Sequence, residues 1–203
     1  MAIINQATKE LQVKIVYYGP AMGGKTTNLV KVHENIQTAQ EKGKLVSLAT
    51  SSDRTLFFDF LPIEAMAIKG FKTKFQLYTV PGQVIYNTTR QLVLRGVDGI
   101  VFVADSQYEK MPENVESFSN MEENLRTLKM NLADIPYVVQ YNKRDLPTAA
   151  PVEYMEFLLN NREVQVPSFP AVASSCEGVF ETLNMIVRML LHKFINESGR
   201  RSA

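Results

Sequence analysis

Gly19-Pro20-Ala21-Met22-Gly23-Gly24-Lys25-Thr26 fits the pattern G-x-x-x-x-G-K-[ST], and its surroundings decide the fold. The apolar stretch Val13–Tyr18 before it reads as a strand, and Thr27-Asn28-Leu29-Val30-Lys31-Val32 after it continues as a helix. A strand, a glycine-rich turn and a helix in that order make a phosphate-binding loop. The glycines let backbone N–H groups turn inward as an anion nest, and the helix N-terminus adds its positive dipole end. Lys25 is expected to reach the β- and γ-phosphates, and the Thr26 hydroxyl to hold Mg²⁺. Gly19, Ala21, Met22, Gly23, Gly24 and Thr27 complete the cradle.

Outward from this loop, strand-like and helix-like stretches alternate, which predicts an α/β fold with a mostly parallel sheet and helices on both faces. Further strand candidates are Lys44–Leu48, Phe75–Val80, Gly99–Ala104, Tyr137–Tyr141 and Pro170–Ala173. Ile3 to Leu11 adds an N-terminal strand in a hairpin with Val13–Tyr18. Helices are expected after Gly24, within Val84–Arg95, from about Glu113 to Lys129, from Pro151 to Asn160 and from Gly178 to Phe194. The last carries Val179, Leu183, Ile186, Val187, Leu190 and Leu191 at helical spacing. The expected organisation is one domain over residues 1–195 and a flexible polar tail over 196–203.

Composition narrows the setting. The 203 residues suffice for one α/β domain with a proper core. A net charge of +1 argues against nucleic acid or an anionic membrane as the main partner. The single cysteine, Cys176, forbids an internal disulfide and fits a reducing cytoplasm. No apolar run approaches the ~20 residues of a membrane helix. Signal-peptide, myristoylation and prenylation patterns are not expected either.

The loop alone does not choose between ATP and GTP. Asn142-Lys143-Arg144-Asp145, directly after the apolar strand Tyr137–Tyr141, makes that choice. The Asp145 carboxylate can accept from both N1–H and N2–H₂ of guanine. Adenine presents an acceptor at N1, which would leave the carboxylate unpaired. Asn142 is expected to tie this loop to the phosphate cradle, and the stem of Lys143 to cover the base.

Together the two motifs resemble the Ras-like small GTPases. Val16-Tyr17-Tyr18-Gly19-Pro20, the run from Asp53 to Pro62, Thr79-Val80-Pro81-Gly82-Gln83 and the run from Leu94 to Ser106 are similar to the bacterial MglA family of polarity and motility switches. The resemblance spans Ile3 to Leu191. It implies a Ras-like P-loop GTPase fold that cycles between GTP and GDP with Mg²⁺. It also implies a roadblock-fold activating partner of the MglB type, separate effectors of the GTP state, and possible recruitment to cell poles by these partners.

The resemblance makes Thr55 the switch I threonine that closes over Mg²⁺. Gly82 becomes the switch II backbone donor to the γ-phosphate, and Gln83 the water-positioning residue. Arg54 adjoins Thr55, but neighbouring side chains in an extended segment point to opposite sides. Both can face the phosphates only if a partner remodels the loop, so we expect slow unaided hydrolysis and a partner that repositions Arg54. Thr79 stands where relatives of the wider family carry an acidic residue, which predicts weaker metal binding. Asp105 has two readings, a compensating metal neighbour or a loop cap, of which the cap is favoured.

At the last strand's end, Ala173 is expected to offer its N–H to guanine O6, with Ser174 beside it. Ala21 is expected to crowd Gln83. Leu56, Phe57, Phe58, Phe60 and Leu61 read either as core or as a partner surface. His33, His192 and Cys176 read as structural. Three rival functions stay open: a GTP-binding scaffold with negligible hydrolysis, favoured by Thr79 and Ala21; an ATP-using enzyme, opposed by Asp145; and a phosphotransferase acting on a small substrate, opposed by the lack of an evident acceptor-binding domain.

Overall fold

A computed structural model of the chain describes residues 3–5, 8–35, 46–49, 55–68, 71–161 and 165–200. The strands are β1 (Ile3–Asn5), β2 (Glu10–Tyr18), β3 (Val46–Ala49), β4 (Thr55–Ile68), β5 (Phe71–Thr79), β6 (Gly99–Asp105), β7 (Tyr137–Asn142) and β8 (Ser168–Pro170). The helices are α1 (Lys25–Asn35), α2 (Asn87–Leu94), α3 (Met111–Thr127), α4 (Val152–Leu159) and α5 (Val179–Arg200).

The strands form one sheet in the order β3-β4-β5-β2-β6-β7-β8, with β1 added beside β2. Neighbours from β5 through β2, β6 and β7 to β8 run parallel. The β3–β4 and β4–β5 pairs are antiparallel. An N-terminal strand is present but shorter than expected: β1 pairs antiparallel with Glu10–Gln12, Ile3 opposite Gln12, so Glu10 and Leu11 belong to β2 and the hairpin partner is not Val13–Tyr18. β6 takes the following stretch of β2, Ile15 to Tyr18.

Every residue of β6 and β7 is buried, as expected of parallel strands covered on both faces. Alternation then sorts side chains into two cores. Val16, Tyr18, Phe102, Val139 and Tyr141 pack on one face beneath Leu94 of α2, Phe118 and Met121 of α3 and Met155 of α4. Ile15, Tyr17, Val101, Val103 and Val138 pack on the other beneath Leu29 of α1 and Val179, Ile186 and Leu190 of α5. The stripe read from the sequence of α5 is thus the stripe that faces the sheet, with Val187 and Leu191 at its margin.

Four elements depart from expectation. β4 is a strand of 14 residues that the strand candidates did not include, although core of a strand was one of the two readings of Leu56 to Leu61. Its Phe-Phe and Pro62 break the strict alternation that marks a half-buried strand, and long pairing with β5 overrides that local signal. The last strand ends at Pro170 instead of running to Ala173. Ala173–Ser175 form a 3-10 turn, because beyond Ala171 the Val172 N–H bonds to the Glu177 carbonyl and the Ala173 N–H to the Asn142 side chain, neither to the β7 backbone. The helix expected within Val84–Arg95 splits into a 3-10 turn at Val84–Tyr86 and then α2. Finally, α5 continues helically past Phe194 to Arg200, through the first residues of the stretch read as a tail.

No helix among the described residues is long and apolar enough to cross a membrane. The C-terminal ends of β2, β5, β6, β7 and β8 lie along one edge of the sheet. That edge is where open α/β sheets bind ligands.

Candidate functional site

The loop after β2 alternates its backbone sign as an anion nest requires. Gly19 has φ +142°, Met22 +58° and Gly24 +101°. Gly24 has a second constraint, since a Cβ there would stand 2.0 Å from Nδ2 of Asn142. Met22, although not glycine, adopts the left-handed region and leaves its side chain 81% exposed.

Lys25 opens α1 and is only 6% exposed. Its ammonium donates to the carbonyl oxygens of Gly19, at 3.1 Å, and Pro20, at 2.6 Å. Those two bonds hold the cation across the loop's mouth. With Thr26, Thr27, Ala21, Met22 and Gly24 it lines a cavity of about 430 Å³. The far wall comes from the segment after β5: Val80, Gly82, Gln83 and Tyr86. The structure therefore brings Gly82 and Gln83 to face Lys25 and Thr26.

Gly82 touches the cradle closely. A Cβ on it would lie 2.2 Å from Cα and 2.6 Å from N of Ala21. Those obstructing atoms are backbone, so only glycine fits there. Thr79 ends β5, fully buried at the position where an acidic residue was missed.

The base-reading loop is joined to the cradle by one side chain. Asn142, ending β7, donates from Nδ2 to the Gly23 carbonyl, at 2.8 Å, and accepts at Oδ1 from the Ala173 N–H, also at 2.8 Å. The expected tie is present, and it also fastens the loop after β8. The Ala173 N–H is engaged by this bond, so a base oxygen meeting it shares the donor. Lys143, at φ +65°, reaches back to the buried Asp105 carboxylate, Nζ to Oδ2 2.6 Å. Asp105 also caps its own loop by accepting from the Gln107 N–H at 3.1 Å. Its cap reading is therefore the one observed. Asp145 is exposed. Ser174 is exposed beside Ala173.

A buried polar network escaped the sequence reading. Asn28 of α1 and Gln140 of β7 exchange amide bonds, Nδ2 to Oε1 2.8 Å and Nε2 to Oδ1 3.0 Å. Asn28 also donates to the Gly24 carbonyl, and Gln140 to Thr182 of α5. Isolated amides in apolar elements give no sequence signal until topology pairs them. Tyr86, on the cavity wall, was missed for a similar reason: no motif contains it.

Arg54 lies outside the described residues. Thr55 is described as the first residue of β4 by its backbone alone. The side chains of Leu56, Phe57, Phe58, Phe60 and Leu61 are likewise outside the description, so their two readings stand as before. Cys176 closes a turn at φ +71° within reach of the Asn35 amide, 3.7 Å. No group of three or more His, Cys, Asp or Glu among the described residues could hold a metal. The donor set beside the cradle is instead hydroxyl, Thr26. That fits a Mg²⁺ carried by a nucleotide's phosphates and finished by protein hydroxyls, and it does not fit a metal held by protein alone.

The sequence profile of the ADP-ribosylation factor family matches residues 1–190. The mutual gliding-motility protein MglA of Myxococcus xanthus is 54% identical over 191 residues, covering 94% of this chain and 96% of that protein. The Ras-related protein Rab-13 of Canis lupus familiaris is 26% identical over 93% of this chain and 83% of its own length. Rab-13 of Mesocricetus auratus is 30% identical over 73% of this chain and 68% of its own.

Proposed function

The chain belongs to the ADP-ribosylation factor family of small Ras-like GTPases, as a protein of the MglA type, and from that premise we propose which residues run its cycle. It is a GTP-hydrolysing switch of the kind that governs polarity or gliding motility. The observation that carries the residue assignments is the shared cavity in which Gly82 and Gln83 face Lys25 and Thr26.

In this reading the nest from Gly19 to Thr27 binds the phosphates and Lys25 spans the β- and γ-groups. Asp145 reads the guanine N1–H and N2–H₂, Lys143 lies along the base, and Ala173 and Ser174 close over its O6 edge. Gly82 donates its N–H to the γ-phosphate. Gln83 orients a water in line with the bond to the β–γ bridging oxygen. As the water oxygen bonds to phosphorus, that bond breaks and the bridging oxygen leaves with GDP. The water's protons pass to the released phosphate. Lys25 bears on the charge gathering at the bridging and γ oxygens. Thr26 and Thr55 would hold Mg²⁺, which would supply positive charge against the phosphates. Residues 1–195 act as the nucleotide-binding domain, and 196–203 take no part.

Arg54 completes the set when a roadblock-fold partner of the MglB type remodels its loop, and effectors read the GTP state. These partners draw the protein to a pole within the cytoplasm. Single-turnover hydrolysis with and without that partner tests the assignment. Arg54→Ala should lose most stimulation at unchanged GTP affinity, and Gln83→Ala should lose basal and stimulated turnover alike. Full stimulation of Arg54→Ala would remove Arg54 from the mechanism. One observation favours the scaffold reading: buried Thr79 offers no carboxylate to the metal. Basal turnover indistinguishable from nucleotide in buffer, with or without partner, would establish it.

A further inference from the structure

Among the described residues, Arg90 heads the fully buried side chains by volume, and no carboxylate pairs with it. Burying a guanidinium without a counter-charge is costly unless its donors are all well placed. Here they are. Nε donates to the Pro81 carbonyl at 2.9 Å and Nη2 to the Gly82 carbonyl at 2.5 Å. Nη1 donates to Oδ1 of Asn120 at 2.6 Å and to the Tyr18 hydroxyl at 3.3 Å. The guanidinium carbon stands 5.0 Å from the Tyr18 ring centroid. Burial pushes the Tyr18 phenol up from its ordinary value, so it stays a neutral hydroxyl and leaves the cation's charge intact.

The arginine is itself held from behind. Tyr18 donates to Asn120 Oδ1 at 2.8 Å, and Asn124 donates to the Tyr18 hydroxyl at 3.1 Å and to Asn87 at 2.7 Å. Side chains of β2, α2 and α3 thus form one buried polar clamp whose outward face is the two carbonyls after β5.

Peptide geometry says what that clamp controls. In a planar trans peptide the carbonyl and the following N–H share a plane and point in opposite directions. Fixing the Pro81 oxygen fixes the Gly82 N–H, and fixing the Gly82 oxygen fixes the Gln83 N–H. Both then point away from Arg90, and Gly82 meets Ala21 of the cradle. A charged donor on a carbonyl also polarises its peptide and strengthens the N–H at the other end. A carboxylate partner would draw off that charge; neutral partners leave it for the two carbonyls.

We propose that Arg90 is a positioning residue for GTP hydrolysis, which aims and polarises the N–H groups of Gly82 and Gln83 at the γ-phosphate through the carbonyls of Pro81 and Gly82. The proposal rests on the assignment of Gly82 and Gln83 given above. It makes the α3 face beside Asn120 a second place from which turnover can be tuned.

The test compares wild type, Arg90→Lys and Asn120→Asp by single-turnover GTP hydrolysis and by dissociation of fluorescent GDP and of a fluorescent non-hydrolysable GTP analogue. Lysine keeps the charge but cannot fork to both carbonyls. Arg90→Lys should hydrolyse about tenfold more slowly and release the analogue about tenfold faster, while GDP dissociation stays within about threefold. Asn120→Asp is nearly isosteric and gives the guanidinium a competing carboxylate; it should slow hydrolysis about threefold or more with GDP release unchanged. Should Arg90→Lys fail to fold, Asn120→Asp carries the test. Equal acceleration of GDP and analogue release would mean a merely structural arginine and would overturn the proposal. So would wild-type hydrolysis in either folded variant. Gly82→Ala and Gln83→Ala run alongside: if they too hydrolyse normally, the assignment of those residues fails, and not Arg90 alone.

Discussion

Gly82 rests on Ala21 so closely that a Cβ added to it would stand 2.2 Å from Ala21 Cα and 3.0 Å from Ala21 Cβ. The segment after β5 therefore sits on the cradle without a side chain between them, where its backbone can register a terminal phosphate. Gly82→Ala cannot keep this contact, because the obstructing atoms are backbone. It should cut single-turnover GTP hydrolysis by about 10²-fold and leave GDP affinity within about threefold. Combining it with Ala21→Gly should restore little, since Cα and N of residue 21 remain. Full recovery in the double variant would show that the methyl alone makes the contact tight.

Asn142 joins three loops, and its loss should be felt in nucleotide binding before catalysis. Asn142→Ala leaves the Gly23 carbonyl and the Ala173 N–H without their partner. At about 1–2 kcal/mol for each, GDP dissociation should quicken by roughly 30- to 1,000-fold. A dissociation rate within twofold of wild type, measured with fluorescent GDP, would contradict the bridging role.

The Asn28–Gln140 amide pair is a stability element with a diagnostic asymmetry. Gln140→Leu alone strands the Asn28 amide and should cost about 2 kcal/mol in denaturant unfolding of the nucleotide-free protein. Asn28→Leu with Gln140→Leu should cost less than the sum of the single changes, because neither buried amide then lacks the other. Strict additivity would argue that the two amides do not act as a pair.

Thr79 makes the metal requirement measurable. Thr79→Asp returns a carboxylate to the end of β5 and should lower the Mg²⁺ concentration for half-maximal hydrolysis by about tenfold. An unchanged Mg²⁺ dependence would place residue 79 outside the metal's reach.

The fold was legible wherever one residue's neighbours carry the signal. Gly99–Ala104 is a continuous apolar run, Val13–Tyr18 and Tyr137–Tyr141 are apolar apart from Lys14 and Gln140, and the α5 stripe is periodic, so elements and core faces could be read directly. β4 could not, since its strand character comes from pairing with β5 across a long register. The cradle and Asn142-Lys143-Arg144-Asp145 were legible as motifs, whereas what Asn142 grips at Ala173 depends on where β8 stops. Arg90 and Gln140 were invisible for the same reason. An arginine in a polar-looking helix and a glutamine in a strand acquire meaning only from partners far away in sequence.

Competition for the nucleotide site tests the central claim most directly. The chain is loaded with fluorescent GDP and Mg²⁺, and GTP or ATP is titrated against it in wild type and in Asp145→Asn. Wild type should release the probe to GTP and resist ATP at about a thousandfold excess, because adenine leaves the Asp145 carboxylate unpaired. Asp145→Asn should lose guanine binding and gain xanthine nucleotide, whose C2 oxygen accepts from the new amide. Equal displacement by ATP and GTP in wild type, or undiminished guanine preference in Asp145→Asn, would contradict the account.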